Sequence, residues 1–226
     1  MTTAEARAAA AAATGPAVPR LPGPARAGIR LLRLHATSRR ALAAVAAIAA
    51  CAAGLRIALI AHWDTYGALQ LPLVFETAAA TAIAATAASP LGEPERLTGR
   101  WLPYLRLAVT LALTAAAAAA LAAAGTGGHL AGGTLDVLRN LAGITGIGLL
   151  CAAIIGGGLA WAGPAAYLIP GAYALYTQWH PPALTTPWLW PARPPHDLGA
   201  AACAGLVFIA AVTLIMLRGA RDPAGE

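Results

Sequence analysis

Two side chains of opposite charge, Arg56 and Glu76, stand inside long apolar runs of this chain. Ionisable groups in a hydrocarbon surrounding are costly and need a reason to be there. Arg56 lies about nine residues before the centre of an intervening turn and Glu76 about eleven after it, so at about 1.5 Å per residue their depths agree to within roughly 3 Å. An Arg–carboxylate pair between adjacent helices would satisfy both groups. Two chemistries follow from such a pair. In one, Glu76 is a proton or cation site with Arg56 as its gate. In the other, the two form a lock that fixes a helix hairpin. A proton relay usually has more members than this, which favours the lock.

Other chemistry is narrowed by residue types that are missing or scattered. All 15 basic residues are arginine, and the chain contains no lysine. Without lysine there is no Walker A loop and no Schiff base or lysine general base. Any ATP would have to be bound by another chain. The only serines are Ser38 and Ser89, and neither sits in a Gly-x-Ser-x-Gly elbow. Cys51, Cys151 and Cys203 are single, far apart and set in alanine-rich runs, which reads as small core residues rather than a redox or metal site. His62, His129, His180 and His196 fall in links, and His35 in a basic segment; they do not form a haem or zinc constellation. Asp64, Asp136, Asp197 and Asp222 are too scattered for the paired magnesium motifs of prenyl transfer. The expectation is a non-enzyme with no catalytic residue, no metal, no cofactor and no nucleic-acid partner.

Stepping from these residues to the elements that hold them, 59% of the 226 residues are hydrophobic and 11% charged, against roughly a quarter charged in soluble domains. Six membrane helices of about 21 residues would absorb the apolar share. Residues 1–25 read as a disordered Ala/Pro-rich tail. In residues 26–40, Arg26, Arg30, Arg33 and Arg40 share one helical face, which suits either a basic amphipathic helix in the membrane interface or a solvated basic tail. Six apolar segments follow, at about 41–62, 68–88, 102–124, 137–157, 159–178 and 198–217, and 218–226 form a short tail. The run Gly156–Gly158 and Pro164 both offer turns between the fourth and fifth segments; a single kinked element there would make five crossings. Pro164 and Pro170 are expected to bend the fifth.

Arginine placement orients the array. Seven arginines precede the first segment, Arg96, Arg100 and Arg106 lie in or beside the link after the second, and Arg218 and Arg221 follow the last. The opposite links hold only Arg139 and Arg193. By the positive-inside rule, six crossings put both termini in the cytoplasm. Among the outward links, residues 179–197 carry Trp179, Trp188 and Trp190 among prolines, which suits a segment lying at the outer membrane surface. Asp136 and Arg139, three apart, read as a local surface pair. Gly148, Ala152 and Gly156 repeat a small residue every fourth position, with Gly143 and Gly146 a turn earlier, marking a helix-packing face within the subunit or against a partner. The inner link, Ser89 to Trp101, contains Glu93, Pro94, Glu95, Arg96 and Arg100 and suits a short charged helix facing a soluble partner.

This layout resembles the type-2 permeases of ATP-binding-cassette transporters. The basic elbow, six helices with both ends inside, a charged helix after the second crossing and an irregular outer segment before the last all contribute. Ser89–Arg106 and the run Leu138-Arg139-Asn140-Leu141-Ala142-Gly143 look like small actinobacterial permease-like integral membrane proteins. The resemblance covers roughly residues 26–218 and is architectural. It implies an all-α polytopic protein of the bacterial cell membrane, a permease subunit of an ATP-driven exporter, paired as a homodimer or heterodimer. It also implies coupling to a separate ATPase through residues 91–100, with Glu93, Glu95, Arg96 and Arg100 as contacts. A polar pair inside the membrane, short length and a long tail depart from the family. The alternative is a non-transporting scaffold or sensor that recruits a cytoplasmic partner through the same link.

Overall fold

Alanine and leucine dominate the apolar segments, and neither loses much side-chain freedom in a helix. In a bilayer the backbone must also satisfy its own N–H and C=O groups, which leaves a chain of this kind little choice but helix. The computed structural model describes residues 41–61, 65–88, 102–126, 130, 132–177, 180 and 185–221, with side chains from residue 70 onward in the second stretch. The tail 1–25, the basic segment 26–40 and the inner link with Glu93, Glu95, Arg96 and Arg100 lie outside the described residues.

Among the described residues the regular structure is wholly helical: α1 (Ala41–Ile60), α2 (Thr65–Ala85), α3 (Leu102–Gly125), α4 (Gly133–Ile154), α5 (Ala162–Tyr176) and α6 (Leu198–Arg218), with single 3-10 turns at Gly157–Leu159 and Trp190–Ala192. Helices α1, α3, α4 and α6 are long and apolar enough to cross a membrane. Their outward surfaces suit lipid rather than water: Leu42 on α1 is 72% exposed and Leu206 on α6 is 67% exposed, with Ile57, Ile209 and Leu217 also turned outward. A surface this apolar marks a membrane protein.

The fourth and fifth segments are separate helices, and each stops short of the end of its apolar run. Helix α4 stops at Ile154, and Gly156 takes φ +129°, a backbone state that favours glycine. A 3-10 turn follows, and α5 doubles back along α4, so the two are separate helices rather than one kinked element. Helix α5 has 15 residues, about 22 Å of rise against about 30 Å of hydrocarbon. Pro164 falls in its first turn, where a missing N–H costs no helical hydrogen bond, and only Pro170 is interior.

Contacts sort the helix ends to two sides. At one, the Gly157 N–H donates to the Arg221 carbonyl (3.3 Å) and the Arg221 N–H to Ala152 (3.0 Å). Ala88 packs on Gly157 there, and the Arg106 guanidinium covers Gly219. At the other, the Arg56 guanidinium donates to the carbonyls of Ala124 (3.4 Å) and Thr126. Successive helices therefore alternate in direction, and α1 starts on the side where α6 ends.

Helix α4 is the centre of the bundle. It packs most extensively on α6 and α2, and also touches α3 and α5. Glycine makes this possible. A methyl group at Gly146 would sit 2.9 Å from Phe208 N and Cα, so α4 and α6 meet nearly backbone to backbone. Gly148 faces Ala84 of α2 and Pro164 of α5, and Ala152 is fully buried. The small-residue face is thus spent inside this chain. Gly156 does not belong to it, because it lies beyond the end of α4 and makes the turn. Replacing Gly146 by valine should lower the thermal midpoint in detergent, by about 1–3 kcal/mol of overpacking. Gly205→Ala, which points its methyl group into open space, should leave the midpoint unchanged or slightly higher. A thiol-reactive dye reporting Cys51, Cys151 and Cys203, all free and half-buried, reads both.

Candidate functional site

On α2, Leu73, Glu76, Ala80 and Ile83 follow the helical repeat and form one buried stripe. Glu76 occupies a position where its neighbours are apolar, and it is 1% exposed. The stripe faces α4, whose Asp136, Asn140 and Gly143 are themselves spaced at four and three residues. The Asn140 amide is the hydrogen-bond partner of the Glu76 carboxyl, and Asp136 and Arg139 stand near enough to act on it electrostatically. This accounts for one side of the carboxyl; Glu76 Oε2 has no hydrogen-bond partner, nor has Asn140 Oδ1.

Arg56 and Glu76 are not brought together. Equal depth did not put them on facing sides of their helices. The long arginine side chain reaches instead to the frayed carbonyls at the end of α3, a rim position that lets the guanidinium leave the apolar zone. The hairpin lock of the sequence reading is therefore absent, and so is the gate.

The cation near Glu76 is Arg139, and its terminal nitrogens already donate elsewhere. Arg139 is 6% exposed, so the pair with Asp136 (2.6 Å) is buried rather than superficial. Its Nη1 donates to the Pro194 carbonyl (2.8 Å) and its Nη2 to the Arg193 carbonyl (3.1 Å). A guanidinium presents five donors in a rigid fork, and here the fork pins the outer segment onto α4. The same segment ties itself to α6. The Arg193 Nε donates to Asp197 Oδ2 (2.6 Å), while Asp197 Oδ1 accepts from the N–H groups of Gly199 (2.8 Å) and Ala200 (3.1 Å) and caps the helix. The Ala200 N–H, backed by Arg193 and the Gly199 N–H, holds the Asp197 carboxyl below the usual aspartate range.

The tryptophans divide. Trp188 is half exposed and suits an interfacial anchor, but Trp190 is 2% exposed. Its ring stacks on Tyr167 of α5 with centroids 4.7 Å apart and lies against Gly143, where a methyl group would come within 2.6 Å of it. The Tyr167 hydroxyl donates to the Trp188 carbonyl (2.7 Å). The 185–197 segment accordingly does more than lie at a membrane surface; its 3-10 turn enters the bundle. Trp190 Nε1 is buried without a partner. Glu76, Asn140 and Trp190 therefore bring unpartnered polar atoms to one region where α2, α4, α5 and the outer segment converge.

Asn140, Tyr167 and the inward-turned Trp190 were not singled out as a group by the sequence. The available signal was helical: Asn140 stands four residues after Asp136 and three before Gly143, on one stripe. Compared with family models, with curated proteins and with solved structures, the chain matches none.

Two measurements probe the clamp. Arg139→Gln should destabilise the protein by about 1–3 kcal/mol, because it leaves the partly buried Asp136 carboxylate unpaired; adding Asp136→Asn should recover part of that loss, a non-additivity read in a double-mutant melt. Asp197 has its carboxyl depressed in the folded state, so its contribution is present above the ordinary aspartate range, about pH 4, and is lost as pH falls through the folded value. Asp197→Ala should therefore lower the melting midpoint at pH 7 and lose its effect in strong acid.

Proposed function

We propose that this protein is a multi-pass permease of the bacterial cell membrane, the transmembrane subunit of an ATP-driven exporter. The observation that carries a transport reading is the polar interior of the bundle. Glu76, Asn140 and Arg139 are buried between α2 and α4, with a half-buried Asp136 beside them, under a docked outer segment. Ionisable groups placed in the interior of a membrane bundle line transport paths more often than they support packing alone. The alternating helix directions support six crossings with both termini in the cytoplasm, in keeping with the arginine bias of the links. In that frame α2, α4 and α5 form the wall of the path, and the Trp188–Pro194 segment closes its outer mouth.

Energy for transport would come from a partner ATPase bound at residues 91–100, which join α2 to α3. Helix α2 carries Glu76, so a push on the inner link acts directly on the helix that holds the buried carboxyl. Substrate movement would follow from rearranging α2 against α4, with no covalent chemistry on this chain. A pair of permeases would complete the assembly.

The test is affinity purification of the tagged full chain in mild detergent, with mass spectrometry and an ATP hydrolysis assay. A Walker-type ATPase should co-purify and should be lost in the double variant Glu93→Arg, Glu95→Arg while the chain itself still folds. A pure oligomer of this chain, from cells expressing their full set of transport ATPases, would overturn the ATP-driven reading.

A further inference from the structure

The charges around Glu76 do not balance. Asp136 is matched by Arg139 and Asp197 by Arg193. Arg139 has both terminal nitrogens committed, Nη1 to the Pro194 carbonyl and Nη2 to the Arg193 carbonyl, and its Nε is buried without a partner. Glu76 is left with a neutral amide, Asn140, on one side and an unpartnered Oε2 on the other, at 1% exposure. The other groups that face this region are accounted for. From α1, Arg56 is turned to the end of α3. From α5, the Tyr167 hydroxyl is held by the Trp188 carbonyl, and α6 brings Cys203 towards the tyrosine rather than the carboxyl. His196 of the outer segment acts on Asp136. Among the described residues no cation forms an ion pair with Glu76; Arg139 acts on it only from a distance. A buried carboxylate with neither counter-ion nor full hydrogen bonding is strongly disfavoured, and the usual remedy is to carry a proton.

We infer that Glu76 is a proton-binding site, occupied in this closed arrangement and exchanging with water on the outer side when the Trp188–Pro194 segment lifts. In the closed form the carboxylic acid is neutral and suits its apolar stripe. On opening, the acid O–H bond breaks, the proton passes to water and the carboxylate keeps the Asn140 amide as donor. Reclosing requires the proton to be recovered from water, because the nearby Arg139 is held by Asp136 and no ion-pair partner stands at the carboxyl. The segment is built as a cover: Trp190 is its plug, seated on Tyr167 and Gly143, and Arg139 and Tyr167 are its two fastenings. The site and its cover belong to this chain alone and do not depend on whether an ATPase binds the inner link.

Infrared spectroscopy of the full chain in lipid nanodiscs tests this without a ligand. At neutral pH the native protein should show the carbonyl stretch of one protonated carboxyl, shifted in deuterium oxide. Glu76→Gln, an isosteric neutral change that should fold, should remove that band. Absence of the band in the native protein, or its survival in Glu76→Gln, would overturn the site. For the cover, the deuterium shift should be slow in the native protein and at least about tenfold faster in Trp190→Ala, as expected when a local opening is made easier. Tyr167→Phe, which removes only the fastening hydroxyl, is the milder variant and should move the rate the same way. Leu206→Ala, an exposed side chain of α6 outside the cover, should exchange as the native does. Equal rates in native, Trp190→Ala and Tyr167→Phe proteins would overturn the outer route.

Discussion

In a hydrocarbon surrounding, a guanidinium has to be met by acceptors from the protein itself, and Arg139 determines where those acceptors stand. One is the carboxylate of Asp136, a turn away on its own helix. The others are carbonyls 54 and 55 residues further along the chain. That long-range demand draws the proline-rich outer segment down onto α4. Once there, the segment presents Trp190 to Tyr167 and Asp197 to the start of α6. The cap on α6 fixes where that helix begins, and α6 then runs along α4 with Gly146 against Phe208. A single buried cation thus ties the 185–197 segment to α4 at the end of the bundle where α6 begins.

The two intramembrane charges met different fates because of the helix positions they occupy. Arg56 sits within the last turns of α1, close enough to the rim for a flexible side chain to find exposed carbonyls. Glu76 sits mid-helix on a stripe that packs against α4, and a glutamate side chain cannot reach the rim from there. Its environment is therefore decided by whatever α4 places opposite, which is an amide. An arginine at position 140 would have made an ordinary buried ion pair. An asparagine makes a site whose charge state responds to its surroundings.

Much of the helical layout was legible because it rests on composition. The first three segments and the last begin and end within a few residues of the observed helices, since arginine, proline and glycine punctuate the apolar runs. The break after α4 was visible as glycines, but a run of three left its exact place open, and Gly156 was counted with the helix it terminates. The site was less legible. An alanine-rich helix such as α1 or α3 is apolar all round, so periodicity does not reveal which face meets a neighbour. Depth could be computed for Arg56 and Glu76, whereas their rotation about the helix axes could not. Asp136 and Arg139 have the same three-residue spacing whether they lie in water or in a core; burial came from the outer segment, far away in sequence, that settles over them.

The central helix has most of its surroundings supplied by parts of the chain made after it. Helix α4 carries Asp136, Arg139 and Asn140, and its largest packing partner is α6, which is made after it. Until residues 185–218 are synthesised, Arg139 lacks its carbonyls and Gly146 faces no backbone. Newly made α4 must therefore wait, held at the insertion machinery or shielded by α2 and α3, with its polar groups only partly matched. A chain cut short before α6 would leave the middle of the bundle as its most vulnerable part, open to membrane quality control.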